Sequence, residues 1–266
     1  MDLGLSGKVA LVSGSWRGTG AGTAAVLAAE GAEVLVHGFE AGQADPVAAR
    51  IAAAGGKVGV VWGDLTTDEG ADQVAEQAGP GRVDVLVNNY GAADRGGWFT
   101  SSAQDWIGVY QKNVLSGMRL TQRFVPAMRE RGWGRVIFVG TVGSVRPNAR
   151  NPHYYASKAA LPNMVVSLAK ELAGSGVTAN LVSPGLIATD EVKEWFLRVA
   201  SERGWAGEFD AVAERVAAEV MPNPSGRPAT VEEVGAFVAF VASDLAACVN
   251  GANLRIDGGA ADSASL

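Results

Sequence analysis

The chain has 266 residues, 48% of them hydrophobic, enough for one large α/β domain with a sizeable core. A net charge of −6 argues against nucleic acid or an anionic membrane surface as the main partner, and no apolar stretch is long enough to span a bilayer. The single cysteine, Cys248, excludes an internal disulfide and a cysteine-based metal cluster, and the two histidines, His37 and His153, belong to different segments, so no metal site is expected.

From the N-terminus the chain goes almost directly into an apolar run, with no basic segment followed by a long apolar one, which gives the expectation of a cytoplasmic protein. Short β-like runs then alternate with helical patterns. The runs are Val9–Val12, Glu33–Val36, Val58–Trp62, Val83–Val87, Arg135–Val139, Thr178–Val182 and Asn253–Ile256. Alanine-rich amphipathic segments such as Gly22–Glu30, Pro46–Ala54 and Asp68–Gln77 lie between them. Strands separated by helices predict a doubly wound, Rossmann-like α/β fold: a parallel seven-stranded sheet covered on both faces. With no linker, low-complexity tract or internal repeat, residues 1–266 read as one domain. Its cofactor half covers about 5–150 and its catalytic and substrate half about 135–260. The stretch Asp190–Pro224 breaks the alternation with two helix-like segments, Glu191–Glu202 and Phe209–Val220. An insertion beyond a strand's C-terminal end is placed to act as a substrate lid. The tail Ala260–Leu266 is small and polar and is expected to be mobile.

Several motifs carry chemistry. After the first strand comes Ser13-Gly14-Ser15-Trp16-Arg17-Gly18-Thr19-Gly20, followed by a helical pattern. Glycines there allow a sharp turn and let backbone N–H groups approach a pyrophosphate at a helix N-terminus; the rival reading is a tight turn with no ligand. Asp64 follows the third strand, placed either to accept from an adenine amine or to cap a helix or turn. Asn88-Asn89-Tyr90-Gly91 follows the fourth, where amides and a glycine can brace the turn beneath a cofactor. Tyr154 and Lys158 are four apart at the start of a helical pattern, so they share one helix face. An ammonium beside a phenol favours the phenolate and lowers its pKa, which suits proton exchange with a substrate oxygen.

These motifs occur in one order, Gly14/Gly18/Gly20, Asp64, Asn88-Asn89-x-Gly91, Asn113, Tyr154-x-x-x-Lys158 and Ser183-Pro184-Gly185-Leu186-Ile187-Ala188-Thr189. In that order the chain resembles the classical short-chain dehydrogenase/reductase family over about residues 5 to 260, and within it the 3-oxoacyl-carrier-protein-reductase-like branch. The resemblance implies that Tyr154 is general acid in reduction and general base in oxidation. It further implies that Lys158 binds the nicotinamide ribose and lowers the Tyr154 pKa, and that Asn113 holds a water on the proton path. The family's fourth catalytic residue, usually a serine, falls on Thr141, with Ser144 as the alternative. A threonine hydroxyl keeps the same donor and acceptor capacity.

The resemblance also implies a cofactor site built from Gly14, Ser15, Trp16, Arg17, Gly18, Gly20, His37, Gly38, Phe39, Asp64, Leu65, Asn89, Tyr90, Gly91, Tyr154, Lys158, Pro184, Gly185, Ile187 and Thr189. At the end of the second strand, Gly38 stands where an NAD-preferring site usually carries a carboxylate. Arg17 resembles the basic residue of NADP-preferring members, and His37 is expected to add a donor. NADP(H) is therefore favoured, with NAD(H) possible if Glu40 bends back to the ribose. Pro162, one turn beyond Lys158, predicts a local kink, because proline removes the N–H that would bond the Lys158 carbonyl.

The expected activity is hydride transfer between nicotinamide and a small-molecule carbonyl or secondary alcohol. A catalytically silent dinucleotide-binding sensor or scaffold, or a dehydratase or epimerase, is the alternative. Trp98, Phe99, Trp195, Phe196, Trp205, Phe209 and Met221 suggest an apolar pocket, although helix packing explains most of them. Arg95, Arg146, Arg150 and His153 hint at an anionic or polar group, or at surface charge. A homodimer or homotetramer is implied by the resemblance, with the helices around Asn113 and Lys158 as dimer faces.

Overall fold

A computed structural model describes residues 2–79 and 81–261; most of the small polar tail lies outside the described residues. Elements alternate along the first two thirds of the chain: β1 (Val9–Val12), α1 (Gly18–Ala29), β2 (Glu33–Gly38), α2 (Asp45–Ala53), β3 (Lys57–Trp62), α3 (Asp68–Ala78), β4 (Val85–Asn88), α4 (Ala103–Tyr110), α5 (Ser116–Arg131), β5 (Gly134–Val139), α6 (Pro152–Glu171) and β6 (Val177–Pro184). Then α7 (Asp190–Glu202), α8 (Phe209–Glu219) and α9 (Val231–Ala242) precede β7 (Asn253–Ile256). A π-helical turn, Gln111–Leu115, joins α4 to α5.

The strands form one seven-stranded sheet in the order β3-β2-β1-β4-β5-β6-β7, and every pairing is parallel. Successive residues of a strand point to opposite faces, and here both faces are buried. In β1, Ala10 and Val12 pack with Leu27 of α1, Val47 and Ile51 of α2 and Val238 of α9. Val9 and Leu11 pack on the other side with Val74 of α3, Leu120 and Phe124 of α5 and Leu161 and Val165 of α6. That is why the strands read as nearly continuous apolar runs. α1 and α9 approach closely across two glycines: a Cβ at Gly22 would stand 2.6 Å from Val231 Cβ, and one at Gly235 would stand 2.9 Å from Val26 Cγ2.

Two boundaries shift. β2 runs on to Gly38, carrying His37 into the sheet. β4 begins at Val85, and Asp84 just before it ties the strand to both neighbours: its N–H donates to the Val9 carbonyl at 2.8 Å, its carbonyl accepts from the Arg135 N–H at 3.0 Å, and its carboxylate accepts from the Val9 N–H at 3.0 Å. α6 runs from Pro152 to Glu171 straight through Pro162, so the expected proline effect leaves the helix unbroken, with Tyr154 and Lys158 both on its N-terminal side. The insertion forms α7 and α8, which close on a small core of their own, Phe196, Ala200, Val212, Ala213 and Val216. Among the described residues no helix is long and apolar enough to cross a membrane.

Strand order reverses between β1 and β4. In an open parallel sheet that switch point opens a crevice beyond the strands' C-terminal ends, where ligands bind. The glycine turn after β1 and the Asn88–Gly91 turn after β4 both lie there.

Candidate active site

The glycine turn is built from the strands beneath it. Gly14 and Gly18 have φ of +62° and +54°, the left-handed region that glycine enters without cost. The Ser15 hydroxyl donates to the Val12 carbonyl at 2.7 Å and accepts from the His37 N–H at 2.8 Å. The Gly14 N–H donates to His37 Nδ1 at 2.9 Å, so the ring proton sits on Nε2 and faces the Gly63 carbonyl at 3.0 Å. His37 is fully buried, and burial lowers its pKa to about 4. It is therefore neutral with both nitrogens engaged, which corrects the expectation that it donates to a cofactor phosphate: His37 fixes the turn from below. Asn89 fixes it from the side, its amide donating to the Ser13 carbonyl at 2.9 Å and the Gly14 carbonyl at 3.3 Å. A Cβ at Gly20 would lie 2.5 Å from Asn89 Nδ2 and 2.6 Å from the Gly14 carbonyl oxygen, so only glycine fits.

Around the turn the other expected cofactor residues take different positions. Gly38 is buried, and a Cβ there would meet Gln43 Cβ at 3.0 Å. Phe39 stands edge-on to His37 and to Tyr90, with ring centroids 5.5 and 4.7 Å apart. Tyr90 packs against Gly14, and burial raises its phenol pKa to about 12, keeping it neutral. Asp64 is exposed and closes its own turn, one carboxylate oxygen accepting from the Thr66 N–H at 2.9 Å and the Thr66 hydroxyl at 2.7 Å. Leu65 buries its side chain completely in the core, leaving only its backbone for a ligand, and Ser15 is likewise fully buried. Trp16 packs on the core, and Arg17 lies over its ring at 4.5 Å while reaching Glu191 of α7 at 2.9 Å.

On the far wall, α6 presents Tyr154 and Lys158. Lys158 is buried and its amine donates to the Val139 carbonyl at 2.9 Å; burial lowers its pKa to about 8. Burial pushes the Tyr154 phenol pKa up to about 12, against a smaller lowering by the neighbouring Thr141 hydroxyl. The expected lowering of the phenol by Lys158 is thus absent in this state, where the ammonium is turned to the β5 carbonyl. Thr141 follows β5 in extended backbone, and its hydroxyl accepts from the Gly143 N–H at 3.2 Å. Ser144, the alternative, spends its hydroxyl on the Thr141 carbonyl at 2.8 Å. Asn113 sits in the π-helical turn, where its amide clasps Ala92 in both directions at 3.0 Å and donates to the Val109 carbonyl. π-helical turns are rare and often mark functional sites. A Cβ at Gly91 would lie 2.4 Å from Asn113 Oδ1 and 3.0 Å from Lys158 Nζ, so this glycine lets the two side chains converge.

One cleft of about 240 Å³ joins these parts: Gly14, Arg17, Gly18, Gly20, Asn89, Gly91, Tyr154, Lys158 and Ile187 all line it, with Glu191 at the lid. Pro184 ends β6, and Gly185 lies where a Cβ would stand 2.9 Å from Asp257 Cα. Thr189 stands at the N-terminal boundary of α7 without a side-chain capping bond, its methyl 3.7 Å from a Cβ built on Gly18. A second cavity of about 380 Å³ opens on the other side of Thr141, against Arg146, Asn148, Tyr155 and Met221. His153 is buried beside Trp106 and accepts from the Tyr154 N–H, so it is packing rather than an exposed site group. Trp195, Phe196, Trp205 and Phe209 pack the α7–α8 pair. Sequence reading missed Glu191, Asn148 and Tyr155: their partnerships depend on how α6, α7 and the loop after β5 fold together.

The doubly wound sheet, the glycine turn at its switch point and the tyrosine–lysine pair facing it define a dinucleotide-binding α/β oxidoreductase. Residues 14–261 match the family model described as enoyl-(acyl carrier protein) reductase. The chain is 34% identical to the D-beta-hydroxybutyrate dehydrogenase of Cupriavidus necator, over 96% of this chain and 98% of that one. It is 33% identical to the 3-oxoacyl-[acyl-carrier-protein] reductase FabG of Escherichia coli, over 97% and 98%. The crystal structure of L-sorbose reductase from Gluconobacter frateurii, complexed with NADPH and L-sorbose, superposes with a TM-score of 0.91 at 31% identity, covering 99% of this chain and all of that one. The chain belongs to the short-chain dehydrogenase/reductase family and is an oxidoreductase.

Proposed function

We propose that the protein interconverts a small-molecule ketone and its secondary alcohol, with NADP(H) favoured over NAD(H). The observation that carries this is the convergence of Tyr154, Lys158 and the glycine turn around one cleft, with Thr141 beside Tyr154. The cleft fits a dinucleotide. Its floor at Gly20 admits no side chain, and α1 begins at Gly18 with its N-terminal N–H groups directed into the turn. Bound there, the nicotinamide supplies or accepts the hydride.

This chain's residues do the rest. With a pKa of about 12, Tyr154 is protonated at neutral pH and ready to give its proton to a substrate oxygen in reduction. Thr141 holds the same oxygen. In oxidation Tyr154 first gives up its own proton to the relay water, and the resulting phenolate, supported by the Lys158 ammonium four residues along α6, takes the proton of the substrate hydroxyl. Asn113 keeps the loop after β4 in place at Ala92 and is the residue we assign to a proton-relay water. Gly38 brings no carboxylate to the end of β2, and Arg17 supplies a cation at the turn, which together suit a 2′-phosphate. A cytoplasmic location and a homodimer or homotetramer belong to the same reading; light scattering on the purified protein tests the assembly.

Following NAD(P)H absorbance over ketones and alcohols tests the reaction. Tyr154→Phe is expected to lower kcat by about 10²–10⁴-fold, and Thr141→Val by about 10²-fold, while both variants still bind NADPH in a fluorescence titration. Wild-type activity retained in Tyr154→Phe overturns the mechanism. Collapse in Ser144→Ala with Thr141→Val unaffected moves the role to Ser144.

A further inference from the structure

Beyond Thr141, on the side away from the glycine turn, the second cavity has a built polar wall. A Cβ at Gly143 would stand 2.2 Å from Tyr155 Cε1, so the glycine makes room for the Tyr155 ring beside the wall. That ring packs edge-on to Tyr154, centroids 5.4 Å apart, which sets the two phenols side by side. Asn148 Nδ2 donates to the Tyr155 hydroxyl at 2.7 Å, and Asn148 Oδ1 accepts from the Arg150 N–H at 2.8 Å, which fixes the way the amide faces. With its oxygen accepting from Asn148, Tyr155 has its own O–H left to donate. Arg146, tied to the Ala260 carbonyl, lines the same cavity and brings a positive charge to it. Leu186, Val220 and Met221 add apolar surface to the lining, and Asn223, Arg227 and Asp257 add further polar groups. Directed hydrogen-bonding groups set among carbon match a short chain that carries hydroxyls.

We propose that Tyr155, Asn148 and Arg146 form a substrate subsite that selects polyhydroxylated ketones, and the matching polyols, over plain aliphatic ones. The inference rests on the ketone–alcohol reading above, because Thr141 and Tyr154 must hold the reacting oxygen for the rest of the substrate to reach this wall. A site built to bond a substrate hydroxyl strongly rejects the analogue without it, since its polar groups are then left unpaired. Tyr155 and Asn148 are thereby specificity-determining residues for the reaction.

The test compares erythrulose with butan-2-one, which share a four-carbon skeleton. Wild type is expected to favour erythrulose by at least about 100-fold in kcat/KM. Tyr155→Phe, which keeps the ring, and Asn148→Ala are each expected to reduce the erythrulose-to-butanone ratio at least about tenfold, mainly through KM. A preference for butanone, or a ratio unchanged in both variants, overturns the subsite. Binding is measured separately by ligand-observed NMR on the wild-type protein with NADP⁺ bound, where a ketone finds no hydride to accept. Tighter binding of erythrulose than of butanone supports the subsite even where wild type turns over neither, an outcome that overturns only the hydride-transfer reading. Equal binding of the two overturns the subsite.

Discussion

His37 shows at the scale of one residue how far a sequence motif can mislead about role. Its position near the end of β2 suggested a contact with the cofactor, yet its partners are Gly14 and Gly63, in the turns after β1 and β3, and only the pairing of β1, β2 and β3 brings them to the ring. The consequence is a pH dependence with a definite sign. The folded pKa of about 4 lies below the ordinary histidine value of 6.5, so between these values the unfolded chain binds more protons. The neutral ring's contribution is complete above pH 6.5 and is lost as pH falls towards 4, a total of about 3 kcal/mol. In His37→Gln, which keeps a donor and an acceptor but does not titrate, the fall in Tm between pH 6.5 and 4 is expected to be shallower; a slope equal to wild type contradicts the assignment. Tyr154 and Lys158 were legible because an i,i+4 pair needs only the helix that carries it. Thr141 was singled out by the family resemblance, through its spacing before Tyr154, and the structure places it just after β5. Tyr155 was not legible, because its meaning depends on Gly143 and Asn148 on a loop that the helix pattern does not predict.

Single elements carry the next level of control. The turn before α1 was readable from its glycines, and its tolerance is now specific: Gly20→Ala drives a methyl into Asn89 and the Gly14 carbonyl, so NADPH binding is expected to weaken at least tenfold in a fluorescence titration while the fold persists. The π-helical turn at Asn113 was not readable, since an inserted residue leaves the apolar spacing of α4 and α5 intact on either side. Nor was the tie between α1 and α7. Arg17 and Glu191 are both largely exposed, so the pair contributes at most about 1 kcal/mol. A 2′-phosphate competes with Glu191 for that guanidinium. Glu191→Gln is therefore expected to tighten NADPH binding by up to about fivefold, with a smaller change for NADH. Equal shifts for both cofactors, or none, would show that Arg17 does not read the phosphate.

Across the whole molecule, chemistry and stability occupy opposite ends of the sheet. At the end away from the cleft, buried Arg135 donates to Asp244 at 2.9 Å and lies over Trp133, whose indole N–H donates to the same carboxylate. Asp244 is itself mostly exposed, so its removal costs less than breaking a fully buried pair. Asp244→Ala is expected to lower unfolding free energy by about 2 kcal/mol with kcat unchanged, measured by urea denaturation beside a rate assay. Fold class was legible at this scale because both faces of a parallel sheet must be apolar, which writes each strand as a continuous run. Substrate was not, because it is set by loops and helices that share no periodic pattern. The α7–α8 pair has a core of its own, apart from the two cores that hold the sheet. Mutations within it can therefore accumulate without passing through the acid–base centre, so a lineage built on this scaffold can change its diet while its reaction stays the same.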